Sequence, residues 1–268
     1  MIKFLKFIAK TLFPKWLLRL LIIEKRFEVK KNQTDDPCKG KTVFCPCCGK
    51  KFRRFMDFGF IFWTYPELYR ENYKRTICPY CFSMPRHRIV CHYFNNNKVL
   101  PKGNIIMFGA EYSIKKWFDR NNYHYTTADL FDQSADLEID IQNISLPDES
   151  FGLIICNHVL EHVPDHKNAL KELRRILGKE GILVLTVPTN KNYGSVHEDK
   201  NITTKKDRIK YYGQEDHLKI FGNDFEKILI DAFFSVETIN GDDLPEEIAG
   251  VIGPASYDDN RVYICRKK

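Results

Sequence analysis

From about residue 104 onward, short apolar runs alternate with amphipathic stretches. Asn104 to Phe108, Tyr123 to Thr127, Leu137 to Ile141, Phe151 to Cys156 and Ile182 to Val187 read as strands, with helices near Ser113 to Arg120 and Lys167 to Leu177. The run Leu153 to Cys156 lacks polar alternation, as expected of a strand covered on both faces. Asn223 to Ala232 reads as another helix, and Phe234 to Ile239 with Arg261 to Cys265 as a final strand pair. The alternation predicts an α/β fold built on a doubly wound parallel sheet. Residues 189 to 218 are polar and irregular, a length that suits an insertion over a functional site.

The front of the chain follows a different pattern. Residues 1 to 23 are apolar but broken by Lys3, Lys6, Lys10, Lys15 and Arg19, so no run approaches the ~20 residues of a membrane-spanning helix. The clean runs are also too short for a signal-peptide core, and no small-residue cleavage site follows them. Lys3, Lys6 and Lys10 share one helical face, which fits either in-plane contact with an anionic membrane or docking on the protein's own core. The chain thus divides into a basic amphipathic segment (1–29), a linker (30–42), a cysteine module (43–95) and the α/β domain (96–268).

Charge sharpens this division. Residues 1–100 carry 21 Lys and Arg against 7 Asp and Glu, whereas residues 101–268 carry 21 against 28. A basic front suits nucleic acid or a phospholipid surface, or is simply a solvated face. Nine cysteines without a secretory signal point to a reducing, cytoplasmic setting in which paired cysteines hold metal. Cys45 and Cys48, and again Cys78 and Cys81, have the two-residue spacing that aims both sulfurs of a knuckle at one ion. Four thiolates close a tetrahedral zinc site, which makes it structural. The 29 residues between the knuckles call for a hairpin-bearing insertion, and Cys47 reads as a spare thiol. Cys91 is expected to be buried on a helix from about Arg86 to Phe94. Arg86-His87-Arg88 suits a phosphate or nucleic-acid backbone, or a helix start packed between domains.

In an open α/β sheet, ligands bind beyond the carboxyl ends of the strands. Asn157, His158, Glu161 and His162 follow one such strand, and Gly109 follows another. Asp129 comes 20 residues after Gly109, the offset expected of a carboxylate for ribose hydroxyls. These residues lie in longer motifs: Asp140-Ile-x-x-Ile-x-Leu-Pro-Asp-x-Ser-Phe-Gly-Leu-Ile-Ile-Cys-Asn-His-Val-Leu-Glu-His-Val-Pro-Asp165, then Glu172-Leu-Arg-Arg-Ile-Leu-Gly-Lys-Glu-Gly-Ile-Leu183.

With these motifs, residues 104 to 240 resemble the S-adenosylmethionine-dependent methyltransferases of the type 11 family. The resemblance implies a seven-stranded Rossmann-like sheet and S-adenosylmethionine as cofactor. It implies that Gly109 and Glu111 lie in the cofactor loop, that Asp129 and Leu130 meet the ribose and Asp140 and Ile141 the adenine, and that Asn157 and His158 line the pocket. The loop Gly109-Ala-Glu-Tyr-Ser113 departs from the family's glycine-rich pattern in having one glycine. Methyl transfer from a sulfonium needs mainly in-line positioning, because the leaving thioether is neutral. For a hydroxyl acceptor, His217 or His158 would serve as general base, since imidazole titrates near neutrality. The expected acceptor is a small molecule or glycan. The alternatives are an RNA methyltransferase or RNA-binding protein gripping phosphates with the basic module, and a scaffold without catalysis.

Overall fold

The computed structural model describes residues 37–56, 76–97, 100, 102–249, 257–258 and 260–268. The amphipathic segment 1–29, most of the linker and the middle of the insertion between the knuckles lie outside the described residues. No helix among the described residues is long and apolar enough to cross a membrane.

A hairpin of β1 (Val43–Cys45) and β2 (Lys50–Phe52) carries the first knuckle. The second knuckle leads directly into α1 (Pro85–Asn96). Then follow β3 (Asn104–Phe108), α2 (Tyr112–Arg120), β4 (Thr126–Asp129), β5 (Leu137–Glu138), β6 (Phe151–Asn157), α3 (His166–Ile176) and β7 (Leu177–Thr186). The carboxyl-terminal part adds β8 (Thr189–Asn190), α4 (Lys205–Tyr212), α5 (Phe225–Asp231), β9 (Phe234–Asn240), α6 (Glu246–Ala249), β10 (Tyr257–Asp258) and β11 (Arg261–Lys267). Local chemistry sets several boundaries. Asp165 caps α3 by accepting from the amides of Lys167 and Asn168. The Thr204 hydroxyl accepts from the Asp207 amide at the start of α4, and Gly213 ends that helix in the left-handed region.

Seven strands form one sheet in the order β5-β4-β3-β6-β7-β11-β9. Strands β3 to β7 pair in parallel, whereas β11 runs antiparallel to both β7 and β9. The sheet is therefore mixed rather than wholly parallel. Strand β11 lies antiparallel beside β9, a pairing that needs no crossover helix. The irregular stretch 189–218 also contains a helix, α4, and it is tied down where Thr189 bridges Phe221 and His197 bridges Ile220.

Strand alternation sends successive residues to opposite faces of the sheet. Ile106, Phe108, Ile154, Cys156, Leu183 and Leu185 face α3 and α5, where they meet Leu170, Leu173, Phe225 and Leu229. Ile105, Met107, Leu153, Ile155, Val184 and Ile264 face α1 and α2, where they meet Ile89, Phe94, Trp117 and Phe118. The second cluster continues into Phe52, Phe55, Cys45, Cys47, Cys78 and Cys81. Among the described residues, the knuckles of the cysteine module are buried in the layer that covers the sheet, and a small satellite cluster gathers Met56, Phe82 and Met84 around Ile77. Each large side chain buried there contributes about 1.5–3 kcal/mol.

The strand order reverses at β3, because the chain steps outward to β4 and β5 and then returns to place β6 on the other side. The crevice between the ends of β3 and β6 is the topological switch point, where a sheet of this kind receives its ligand.

Candidate functional site at the sheet's carboxyl edge

Gly109 follows β3 with φ +60, and a Cβ there would come within 2.8 Å of Val159 Cγ2. Glycine is required on both counts. Across the crevice, Asn157 ends β6, is 3% exposed, and has a side-chain oxygen with no hydrogen-bond partner in the protein. A buried acceptor left unpaired costs about 1–3 kcal/mol, which a bound ligand could recover. His158 follows in the left-handed region at φ +51, its amide bonded to the Thr186 carbonyl. A non-glycine residue held at positive φ is strained, a feature that clusters at functional sites.

Asp129 ends β4, and its Oδ1 accepts from the Phe131 and Asp132 amides at 2.8 and 2.9 Å. That turn uses one of the two oxygens expected to meet a diol and leaves Oδ2 out of the turn. Asp140 sits just past β5, where it accepts from the amide and side chain of Gln142. The Ile141 side chain is buried in the core, so only its backbone could meet a ligand. Leu130 is 41% exposed. Asp136 is bonded to the Thr127 amide and hydroxyl, the turn role its position suggests.

Glu111 engages the protein through one of its two carboxylate oxygens. Its Oε1 takes Nη2 of Arg86 at 2.8 Å and Nε2 of His87 at 2.6 Å. Burial alone would raise its pKa, but the Arg86 guanidinium and His87 more than reverse this and hold the carboxyl well below the ordinary range. The loop after β3 is thereby clamped to the start of α1. The same ties bear on the two readings of Arg86-His87-Arg88, a phosphate site or a packed helix start. Arg88 is fully buried, donates to the carbonyls of Thr76, Ser83 and Ile248, and lies 3.9 Å from the Phe55 ring centroid. The outcome is the packed helix start. The alternation of charge and apolar residues in Pro85-Arg86-His87-Arg88-Ile89-Val90 gives no sign of which cations turn inward.

The histidines also differ from expectation. His217 is 4% exposed rather than free on a loop, and its Nδ1 lies 2.9 Å from the Tyr212 carbonyl. Burial, with a smaller push from His162, lowers its pKa to about 4 despite the opposing hydrogen bond. Burial, followed by the Arg86 charge, depresses His158 well below the usual value. Both shifts favour the neutral form of the imidazole. Between them stands Glu161, which the sequence places in the same polar cluster without assigning it a role. Glu161 is fully buried, its Oε1 3.2 Å from Nδ1 of His158 and 4.0 Å from Nε2 of His217. The signal was present in His158-Val-Leu-Glu161-His162, where a carboxylate follows two apolar residues and precedes a second imidazole.

The four predicted cysteines do converge. Their sulfurs all lie within 4.8 Å of one another, with Cys45 to Cys81 at 3.6 Å and Cys48 to Cys78 at 3.9 Å. Bonds of about 2.3 Å to a tetrahedral ion would place sulfurs about 3.8 Å apart, so the donor set fits such a metal. The Tyr80 amide points at the Cys78 sulfur at 3.4 Å, and Cys47 is buried outside the set. The cluster is joined to the crevice: the Ser113 hydroxyl at the start of α2 donates to the Cys81 carbonyl at 2.9 Å, and Arg120 donates to the Pro46 carbonyl at 2.9 Å. Elsewhere, a groove of about 1290 Å³ between α3 and α5 is lined by His166, Leu170, Arg174, Ile228 and Phe233, with none of the crevice residues.

Residues 114–185 match the family model described as a methyltransferase domain. No curated protein matches the sequence. Among solved structures, a methyltransferase of Thermotoga maritima is 18% identical, with 69% of this chain and 99% of that one covered and a TM-score of 0.41. The 1,6-didemethyltoxoflavin-N1-methyltransferase of Burkholderia thailandensis, solved with S-adenosylhomocysteine, is 13% identical over 68% of this chain and 76% of its own, with a TM-score of 0.43. A methyltransferase of Archaeoglobus fulgidus is 14% identical over 68% and 94%, with a TM-score of 0.42. Likenesses at this level say nothing of the acceptor. Residues 114–185 of the chain thus carry the pattern of a methyltransferase domain.

Proposed function

We propose that the crevice between β3 and β6 binds S-adenosylmethionine, that its methyl group passes to a small molecule or a glycan, and that Cys45, Cys48, Cys78 and Cys81 hold a structural zinc. The observation that carries this reading is the row formed by Gly109, Asp129, Asp140 and Asn157. All four stand at or just beyond the carboxyl ends of neighbouring strands, around the switch point. Oδ2 of Asp129 would receive the ribose hydroxyls, Asp140 and the backbone of Ile141 the adenine edge, and the buried Oδ1 of Asn157 a polar hydrogen of the cofactor. The cofactor supplies an electrophilic methyl on a leaving group that departs neutral, so the protein's main task is alignment. A small acceptor is favoured over RNA because Arg86 and Arg88 are committed to Glu111 and to backbone carbonyls, away from any phosphate.

Calorimetric titration with S-adenosylhomocysteine tests the site. Asp129→Ala should weaken binding at least tenfold, about 1.4 kcal/mol or more, while thermal unfolding stays close to wild type. The reading fails if the wild-type protein does not bind, or if the variant binds equally well.

A further inference from the structure

We propose that Glu161, His162 and His217 form a second metal site, separate from the cysteine cluster, which takes a divalent transition cation through one carboxylate oxygen and two imidazole nitrogens. One ligand atom from each of the three lies within 4.8 Å of the others. Two observations beyond proximity point to a cation.

The first is the state of the imidazoles. Nδ1 of His217 lies 2.9 Å from the Tyr212 carbonyl, and Nδ1 of His162 lies 3.3 Å from the Asp216 carbonyl. A carbonyl only accepts, so each Nδ1 carries the proton and each Nε2 is left with its lone pair. Metal-ligating histidines are oriented in this way, the ring nitrogen away from the ion donating to a backbone carbonyl. One carbonyl belongs to the last residue of α4 and the other to the loop just after it, so the end of this helix sets both rings. The rings are themselves in edge contact, with centroids 4.7 Å apart.

The second is what the His217 lone pair meets. Nε2 of His217 stands 4.0 Å from Oε1 of the fully buried Glu161. Two electron-rich atoms oppose each other there, and a cation between them turns the repulsion into attraction. Bonds of about 2.1 Å in a tetrahedral set would draw the two atoms together by about half an ångström. The loop is already fastened close by, since the Leu218 amide donates to the Glu161 carbonyl at 2.9 Å. Nδ1 of His158 lies 3.2 Å from the same Oε1 and helps to aim it.

Two imidazoles and a carboxylate suit zinc, cobalt, nickel or manganese, whereas the cysteine cluster selects softer ions. Three protein ligands leave a position open, as catalytic sites do and structural sites do not. Glu161 follows Asn157 by one short turn and His162 is 29% exposed, so the open position is reachable from outside. This deepens the proposed function and rests on it in one respect: an oxygen of the acceptor bound to the cation would lie at the edge of the crevice that holds the methyl donor, and would be activated there.

The test is metal content after equilibration with cobalt(II) and gel filtration. Wild-type protein should retain about two equivalents per chain, and Glu161→Gln and His217→Ala about one, with the thiolate-to-cobalt absorption of the cysteine cluster unchanged. His162→Ala, at the more exposed ligand, should weaken the second equivalent about 10- to 100-fold without loss of folding. The proposal is overturned if the wild-type protein never exceeds about one equivalent, or if folded Glu161→Gln still retains both. S-adenosylhomocysteine titration of the same samples separates the two readings. Binding by wild type without a second equivalent sinks the metal site alone, and a second equivalent without cofactor binding sinks the cofactor reading alone.

Discussion

On the proposed function, stripping zinc from the cysteine cluster, or replacing Cys78 with Ser, should abolish S-adenosylhomocysteine binding although no cysteine stands in the crevice. Structural zinc contributes about 10–16 kcal/mol to the folding of isolated zinc-finger peptides, comparable to the whole stability of an ordinary domain at about 5–15 kcal/mol. The cluster is continuous with the core that covers one face of the sheet through Phe52, Ile89, Phe94 and Trp117. Its loss would loosen α1, and α1 carries Arg86 and His87, which clamp Glu111 in the loop after β3. The Ser113 to Cys81 bond transmits the same loss to α2. A chelator titration followed by near-ultraviolet circular dichroism and calorimetry should show tertiary signal and cofactor binding disappearing together. Full binding by the metal-free protein would mean that the two regions are not coupled.

Arg88→Met will destabilise the protein by about 3–5 kcal/mol, since three hydrogen bonds from a charged donor are lost and each is worth about 1.5–3 kcal/mol before the gain from burying an apolar side chain is set against them. Methionine replaces the stem but not the fork. The carbonyls of Thr76, Ser83 and Ile248 would lose a charged donor; Ser83 keeps the Cys78 amide, and a buried acceptor left bare costs about 1–3 kcal/mol. The three bonds reach segments far apart in the chain, so the loss also releases α6 from α1. Urea denaturation measures the effect, and a change below about 1 kcal/mol would mean that water replaces the guanidinium at no cost.

Much of this was legible in the sequence, for identifiable reasons. Leu153 to Cys156 and Ile105 to Phe108 are covered on both faces, so hydrophobicity alone marked them as strands. The two-residue spacing of each cysteine pair is a local signal, and the four sulfurs do meet. Helix α4 was hidden because Lys205 to Tyr212 is polar on nearly every side; its signals are the Thr204 cap and Gly213, not a hydrophobic stripe. Strand β7 begins at Leu177, earlier than the apolar run from Ile182, because Phe151 pairs with Leu177 across an irregular register. The fates of Arg88, Glu111 and His217 depend on partners between 5 and 160 residues away, which no local pattern encodes.

Hydrogen exchange with and without S-adenosylhomocysteine tests the central claim most directly. The cofactor should slow exchange at residues 109–113, 129–132, 140–142 and 157–158, four segments brought together only by the sheet's carboxyl edge. Protection confined to the groove between α3 and α5, or none at these four segments, would contradict it.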